Sequence, residues 1–586
     1  MRSLMMLLVV MGLAVFTPAF AQEAKPVSEP GGSQPEAPAT VLRATTRMVV
    51  LDVVATDKHG NPVTDLKAGD FTVLEKDKEQ TIRSFSFEQS ASAPGQQSAF
   101  PSAMKFPPNV FSNIKFTQEP KTLNVVLLDA LNTTMPNQSF IRQQMIKFLD
   151  TMPAGQLTAV YVLNRNLHLL QDFTSDPRVL RQVARNFRPE RSAVPDGATG
   201  GAKDEFLSPG ALWDNPLAGG FQESMLRFLA NKAQYNYDIQ LELTIQAFQV
   251  ITRTLGAYSG RKNIIWISGG FPLRFVPQNG RQRDSCGENC RKMLRTYSVL
   301  ADNHIAVYPV DANGLVVVGL TAQDASYDSV GTFEAHPGPP NAISAQYDQF
   351  AALHLSMEEL ASRTGGKAFY NRNDLGTAIQ KGINDGSTYY LIGYYPSDKN
   401  WDGEFRKIQV KVKRSGINLR YRPGYYAIDS QVEAQGSTAR DKDLADALDL
   451  SNPPSTMLYF TASLTPPSAR TGNKLGVNYH LDAHAINFEQ GADGLRHPTV
   501  GCYVQAFSQD GKPVKTERKL PTIALKPEVY QQVMKTALPC TVELELPAGN
   551  YWLRFAVRDE RTGLMGTANG KVTIGEGGSQ DIAQRP

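Results

Sequence analysis

The chain has 586 residues, 41% of them hydrophobic and 20% charged, with a formal net charge of +3. That length exceeds what one hydrophobic core can organise and predicts roughly three or four domains. So small and evenly spread a charge leaves no basic footprint of the kind nucleic acid or anionic lipid would need, and no nucleic-acid partner is expected.

At the N-terminus Arg2 precedes an apolar run from Leu4 to Phe16, and Ala19 and Ala21 put small residues where a signal peptidase reads. Residues 1–21 are therefore expected to be a signal peptide, cut before Gln22. The rival reading is an uncleaved anchor, for which the run is short. No other segment approaches spanning length, and the first cysteine is Cys286, far from the cleavage site, so no lipid-attachment cysteine is expected. The mature chain is expected to be secreted or periplasmic, with no membrane span.

Residues 22–44 are rich in Pro, Gly, Ala, Ser and Glu and read as a linker. Residues 45–90 carry the β-rich run Met48–Thr56, a turn at His59–Pro62, a strand Phe71–Glu75, and the alternating segment Thr81–Phe87. These strands are part of a β-sandwich, too few to be a whole one. Residues 91–119, with Ser, Pro and Gln, read as a second linker.

From 120 to 386 short apolar strands alternate with helical segments. Strands are predicted at Leu123–Leu128, Thr158–Leu163, Asn263–Ser268, His304–Val310 and Lys367–Tyr370, and helices over 138–149, 177–186, 222–257, 290–302, 346–363 and 374–384. A Gly- and Pro-rich insertion occupies roughly 189–220. This order predicts an α/β, Rossmann-like, doubly wound and mostly parallel sheet. Residues 387–428 return to β pattern at Thr388–Tyr395, Arg406–Lys413 and Leu419–Tyr426, which would complete the first sandwich and make the α/β domain an insertion into it. Residues 429–454 read as a linker with a short helical patch, 455–575 as a C-terminal β-sandwich, and 576–586 as a tail.

The four cysteines fit an oxidising compartment. Cys502 and Cys540 lie in strand-like segments of one region, where they can pair. Cys286 and Cys290 either close a small disulfide loop or form a metal pair, and C-x-x-x-C without further ligands favours the disulfide.

The candidate site begins at Asp129, where an apolar strand ends in a carboxylate followed by Asn132, Thr133 and Thr134. Ligands of open α/β sheets bind outside the strand C-termini. A carboxylate with nearby hydroxyls there suits a hard cation, Mg²⁺ or Mn²⁺. Catalytic signals are weak. Ser268 follows a strand but lacks the first glycine of G-x-S-x-G. The eight histidines show no ligand or catalytic spacing, and His304, opening a strand, reads as structural. Gly256–Lys262 precedes a strand, whereas a phosphate loop follows one, so it reads as a helix C-terminal turn. The tyrosines at 389–395 and 425–426 read as sheet packing.

Leu127-Leu-Asp129, Trp266-Ile-Ser-Gly-Gly270, Val307-Tyr-Pro-Val-Asp311 and Thr364-Gly-Gly366 recur in this order in von Willebrand factor A domains. With Asp57–Val63, Asp70-Phe71, Phe405–Ile408 and Arg422–Tyr426 alongside, residues 45–428 resemble the exported bacterial group of acidobacterial type called VWFA-related proteins. The resemblance implies a metal-ion-dependent adhesion site built from D-x-S-x-S, a Thr of a second loop and an Asp of a third. Asp129 and Thr133 match the first and fifth positions. Leu131 stands where a serine is expected, and Ser268-Gly269-Gly270 stands where Thr-Asp-Gly is expected. Thr199 is a candidate for the second-loop threonine. The site thus resembles a degenerate one, in which Asp129 caps the following helix or satisfies loop amides. The implied function is non-catalytic binding of a protein or surface polymer by a face comprising Asp129, Asn132, Thr133, Thr134, Ser268 and Gly269. The rivals are an envelope scaffold and an enzyme with an unadvertised active site.

Overall fold

The computed structural model describes residues 48–89, 104–116, 120–152, 155–194, 219–272, 288–315, 340–427, 437–466 and 474–575. The expected leader, the first linker, Thr199, Cys286 and the tail lie outside the described residues.

Strands β1 (Val49–Thr56), β2 (Phe71–Glu75), β3 (Lys78–Gln80) and β4 (Ile82–Gln89) open the chain. The stretch read as a linker then contains a further strand, β5 (Val110–Ser112). The α/β unit follows with β6 (Thr122–Asp129), α1 (Met135–Thr151), β7 (Thr158–Leu163), β8 (Leu167–Thr174), α2 (Pro177–Asn186), α3 (Gly219–Leu255), β9 (Arg261–Ser268), α4 (Glu288–Asp302), β10 (Ile305–Asp311), α5 (Pro340–Thr364) and α6 (Leu375–Asp385). Next come β11 (Thr388–Tyr394), β12 (Phe405–Val412), β13 (Asn418–Arg420), β14 (Gly424–Tyr426) and α7 (Ser437–Leu448). The C-terminal region has β15 (Phe460–Thr465), β16 (Lys474–Leu481), β17 (Phe488–Gln490), β18 (Arg496–Pro498), β19 (Val500–Phe507), β20 (Pro513–Lys519), α8 (Pro527–Lys535), β21 (Leu538–Glu545), β22 (Gly549–Asp559) and β23 (Met565–Ile574).

The α/β sheet runs β10-β9-β6-β7-β8, parallel throughout except for β8, which pairs antiparallel at the edge. The predicted strand at Lys367–Tyr370 reduces to a single parallel bridge between Phe369 and Val310. Every residue of β6, β9 and β10 is buried, because helices cover both faces. Leu123, Val125 and Leu127 face a core shared with α3, α4 and α5. Val126 and Leu128 face the opposite core, shared with α1, α2 and α6. Gly366 lets the chain after α5 lie against β10, since a Cβ there would stand 1.9 Å from the Val307 carbonyl oxygen.

Strands from both sides of this unit share sheets. One is β13-β1-β11-β4 and the other β14-β12-β2-β3, and their inner faces close on one hydrophobic core. The α/β unit therefore enters and leaves between β4 and β11. Its base, where β6, β9 and β10 begin, is sealed by polar contacts. Asp52 of β1 lies 3.4 Å from Arg261 and 2.8 Å from His304 Nδ1. The Arg261 guanidinium also donates to Gly365 O at 2.8 Å and Tyr308 Oη at 3.2 Å. The Tyr389 hydroxyl accepts from Arg261 N and donates to Lys121 O. Arg420–Asp385 and Arg422–Asp302 pairs flank this centre.

The C-terminal unit also has two four-stranded sheets on one core, β21-β16-β15-β5 and β20-β19-β22-β23. Its edge strand β5 comes from before the α/β unit and pairs with β15. The buried Asn113 side chain donates to Ser455 O and Leu458 O at 2.9 Å and accepts from Phe460 N at 3.1 Å. Ser455 and Thr456 satisfy the last carbonyls of α3, Arg253 O and Thr254 O, which a helix end leaves without intrahelical partners. The buried Arg554 donates to Ala447 O and Pro453 O, fixing the end of α7 on β22.

Two outcomes follow from these junctions. Asn113→Ala, which removes three buried hydrogen bonds and leaves Ser455 O only its bond from Thr567 N, is expected to lower stability by about 2–4 kcal/mol in denaturant unfolding; an unchanged midpoint would contradict the role given to β5. Burial alone would push the Asp52 carboxyl up, but His304, Arg261 and Lys262 more than offset it and hold it at about 2 against an ordinary 3.8. A depressed carboxyl stabilises the fold above its unfolded pKa and loses that contribution as pH falls through the folded one. Wild type should therefore lose about 2 kcal/mol between roughly pH 4 and pH 2 that Asp52→Asn does not lose over that window, as read by urea unfolding against pH.

Candidate functional site

The C-terminal ends of β6, β9 and β10 lie at the end of the sheet opposite the sealed base, and each ends in a polar residue, Asp129, Ser268 or Asp311. Asp129 is 1% exposed. Its Oδ1 accepts from Asn132 N at 2.9 Å. Its Oδ2 accepts from Asn132 Nδ2 at 2.9 Å, Trp266 Nε1 at 3.0 Å and Ser268 Oγ at 2.7 Å. The Ser268 hydroxyl also lies 2.5 Å from Gly270 O, so its one proton serves either acceptor. Burial pushes the Asp129 carboxyl above its ordinary value, against the lowering effect of these hydrogen bonds.

The neighbouring residues are engaged in part, with Asn132 Oδ1 buried and without a hydrogen-bond partner among the described residues. Asn132 Nδ2 also reaches Thr244 Oγ1 on α3 at 3.3 Å, and Thr133 Oγ1 accepts from Gly269 N at 2.8 Å. Asn132, Thr133 and Ser268 are buried, whereas Thr134 and Gly269 are half-buried. Thr134 is the N-cap of α1 but makes no side-chain capping bond. Asp129 thus satisfies the loop amide of Asn132 and does not cap the helix. Leu131 belongs to the hydrophobic core.

This donor set does not fit a hard cation. A cation needs oxygens with free lone pairs facing a common point. Asp129 instead meets four N–H and O–H donors, Thr133 Oγ1 takes an amide proton, and positions 131 and 269 bring no oxygen-bearing side chain. Among the described residues no cluster of three His, Cys, Asp or Glu side chains is placed to hold a metal.

A second constellation, not anticipated from residue spacing, lies beside the first. Asp311 is buried, and its Oδ1 accepts from Asn313 N and Nδ2 at 2.9 and 2.8 Å. Its Oδ2 lies 3.3 Å from His354 Nε2 of α5. The His354 ring stacks on Tyr370 with centroids 4.1 Å apart, and the Tyr370 hydroxyl donates to Glu358. Asn313 donates to Gly269 O and accepts from Asn137 Nδ2, so the two constellations are joined. His354 and Asp311 lie on elements far apart in sequence, which hid the pairing. The Trp266 contact had a readable signal, since a buried indole N–H usually finds an acceptor.

Chemically, the carboxylates of the arrangement are satisfied by protein donors, while Asn132 Oδ1 is left unpartnered. Ser268 Oγ is bound to a carboxylate, and His354 is bound to Asp311, so the hydroxyl has no imidazole base. His304, at the opposite end, is a base-sealing residue in a left-handed turn (φ 55°). The sequence Gly256–Lys262 ends α3, and the buried Lys262 ammonium donates to Tyr258 O and Asn303 O. Cys290 is disulfide-bonded, while Cys502 and Cys540 carry free thiols, so the bond expected between those two is not formed in this structure.

No protein-family model matches this chain, and no curated protein does. Solved structures with likeness include an aerotolerance-related membrane protein from Bacteroides fragilis, at 13% identity over 45% of this chain and 99% of that one, with a TM-score of 0.23. A von Willebrand factor type A protein from Catenulispora acidiphila matches at 9% identity over 64% and 81%, with a TM-score of 0.23. The von Willebrand factor domain of the type V pilus tip protein Mfa5 from Porphyromonas gingivalis matches at 12% identity over 46% and 95%, with a TM-score of 0.22. The fold assignment rests on strand order and register, not on these likenesses.

Asp129→Ala leaves the Trp266, Ser268 and Asn132 donors without their acceptor and is expected to cost about 3 kcal/mol in guanidinium unfolding. Thr134→Ala, which removes no capping bond, should stay within about 0.5 kcal/mol of wild type. Equal effects of the two substitutions would contradict the network.

Proposed function

We propose that this is an exported, non-catalytic protein of the VWFA-related kind, which binds another protein or a surface polymer through the strand C-terminal end of its A-type domain. In this reading residues 1–21 are a cleaved leader, and the A-type domain of 120–386 is carried by β-sandwiches formed from 45–90 with 387–428 and from 455–575. The protein acts outside the cytoplasm, and no described helix is long and apolar enough to cross a membrane. Binding proceeds without a resident Mg²⁺ or Mn²⁺, because Asp129 and Thr133 are committed to protein donors.

One observation carries the reading. Both β units attach near the base of the sheet, through Asp52–Arg261 and through Ser455 and Thr456 on the end of α3. Around the opposite end, large apolar side chains remain exposed beside the polar rim: Met135 at 43%, Leu315 at 58% and Leu355 at 56%. These flank Asn137, Asn313 and His354, which hold one another and Asp311 in place. A rigid polar rim edged with exposed apolar side chains suits macromolecular recognition. The buried residues Asp129, Asn132, Thr133 and Ser268 act as support for this face, while Thr134 and Gly269 border it.

The test is recovery of partners from cell-envelope extract on immobilised protein, comparing wild type with the double variant Met135→Glu, Leu355→Glu. Partner recovery should drop at least tenfold while the unfolding midpoint stays within about 0.5 kcal/mol of wild type. Unchanged recovery by the folded variant would remove this face as the binding surface.

A further inference from the structure

The C-terminal unit contains a pair of thiols that the binding face does not use. Cys502 lies on β19 in one sheet and Cys540 on β21 in the other. Both side chains belong to the core between the sheets, Cys502 at 0% and Cys540 at 7% exposure. The strands that carry them, β19 and β21, come within 8 Å of each other, Cα to Cα, across that core. Their approach is fixed by a neighbouring clamp. Tyr479 pairs directly with Cys540 in the β16–β21 ladder, and its hydroxyl donates at 2.6 Å to the carbonyl of Tyr503, the residue after Cys502. That bond joins the two sheets beside the cysteines and so fixes the strands that carry them relative to each other. Disulfide formation is sensitive to such geometry, because misplaced Cβ vectors store strain.

We propose that Cys502 and Cys540 form a disulfide between the two sheets when the chain meets an oxidant of the disulfide class, either a small-molecule disulfide or an exported thiol–disulfide oxidoreductase. The site of oxidation rests on the export reading above; the competence of the pair does not. Cys540 attacks first. It sits on an edge strand and retains slight exposure, and the neighbouring Cys502 holds its thiol down, while Cys540 and burial push the Cys502 thiol up. The Cys540 thiolate displaces one sulfur of the oxidant to give a mixed disulfide and one released thiolate. Cys502, after losing its proton, then attacks Cys540 Sγ and releases the second sulfur. One Sγ–Sγ bond forms, one oxidant S–S bond breaks, and the two electrons and two protons from the cysteines leave with the oxidant, as two thiols from a small-molecule disulfide or as the reduced dithiol of an oxidoreductase. Because Cys502 is sealed in the core, the second step belongs to folding or to transient opening of β21.

A bridge here ties an edge strand to the opposite sheet and restricts the unfolded chain, so it raises kinetic and thermal stability together. It would also hold the sheet that takes β5 as its other edge strand.

The test uses the purified full chain, unfolded, reduced, and refolded in a buffer of oxidised and reduced glutathione. Peptide mapping without reduction should recover a cross-linked pair containing Cys502 and Cys540, and the oxidised sample should melt roughly 10 °C above the sample kept in reductant. The double variant Cys502→Ala, Cys540→Ala reports how much of that shift comes from the disulfide at Cys290; wild type should show the larger shift. Recovery of Cys502 and Cys540 only as separately alkylated peptides after oxidative refolding would overturn the proposal, whether or not the variant folds. Leader cleavage and cell fractionation are scored separately, so a failure of export leaves the chemical result readable.

Discussion

A carboxylate taken out of water must be surrounded by donors, and at Asp129 four protein groups supply them. Those groups come from the loop after β6, from β9 and, through Asn132 and Thr244, from α3. The network therefore joins the central strand of the sheet to its neighbour and to a covering helix at the end where a ligand would bind. Hydrogen bonds among rigid elements in a low-dielectric setting are strong when complete and costly when broken. Completeness also decides the chemistry. The Asp129 lone pairs that a cation would need are already engaged by protein donors, and of the side-chain oxygens around them Asn132 Oδ1 is buried without a partner among the described residues.

Among the described residues, both β units attach at the end of the sheet opposite Asp129. The chain contributes strands to the first two-sheet unit, then an edge strand to the C-terminal unit, then the whole α/β unit, before returning to the first and finishing the last. Each β unit thus depends on segments separated by long stretches of sequence, and neither is a simple bead on a linker. The polar junctions at Asp52–Arg261 and at the end of α3 hold the α/β unit by its base. If this end is the binding face proposed above, holding it in this way preorganises it and reduces the ordering cost of association.

Much of the α/β unit was legible because its strands are buried on both faces. Thr158–Leu163 and Pro177–Asn186 match the expected spans, the helix being announced by Asp176, whose side chain accepts from Arg178 N, and by Pro177. Strand β8 was not legible, because its half-buried residues mix apolar and polar types without clean alternation. Strand β5 was hidden more deeply: it has three half-buried residues, and only its distant partner β15 gives it a sheet. At the site, Asp129, Thr133, Ser268 and Gly269 do come together as the motif spacing implied, yet most are interior. What could not be read was burial and pairing across the fold, as in His354 with Asp311, or the acceptor chosen by the Trp266 indole.

The central claim is that protein donors, not a cation, complete the coordination of Asp129. Its most direct test is the indole N–H resonance of Trp266 in ¹⁵N-labelled protein, picked out from the four tryptophans by Trp266→Phe. The account predicts slow exchange of this proton with solvent and no selective paramagnetic broadening on addition of ~1 mM Mn²⁺, a concentration that would occupy any site worth about 4 kcal/mol of binding. Fast exchange together with selective broadening of Trp266 by Mn²⁺ would contradict it.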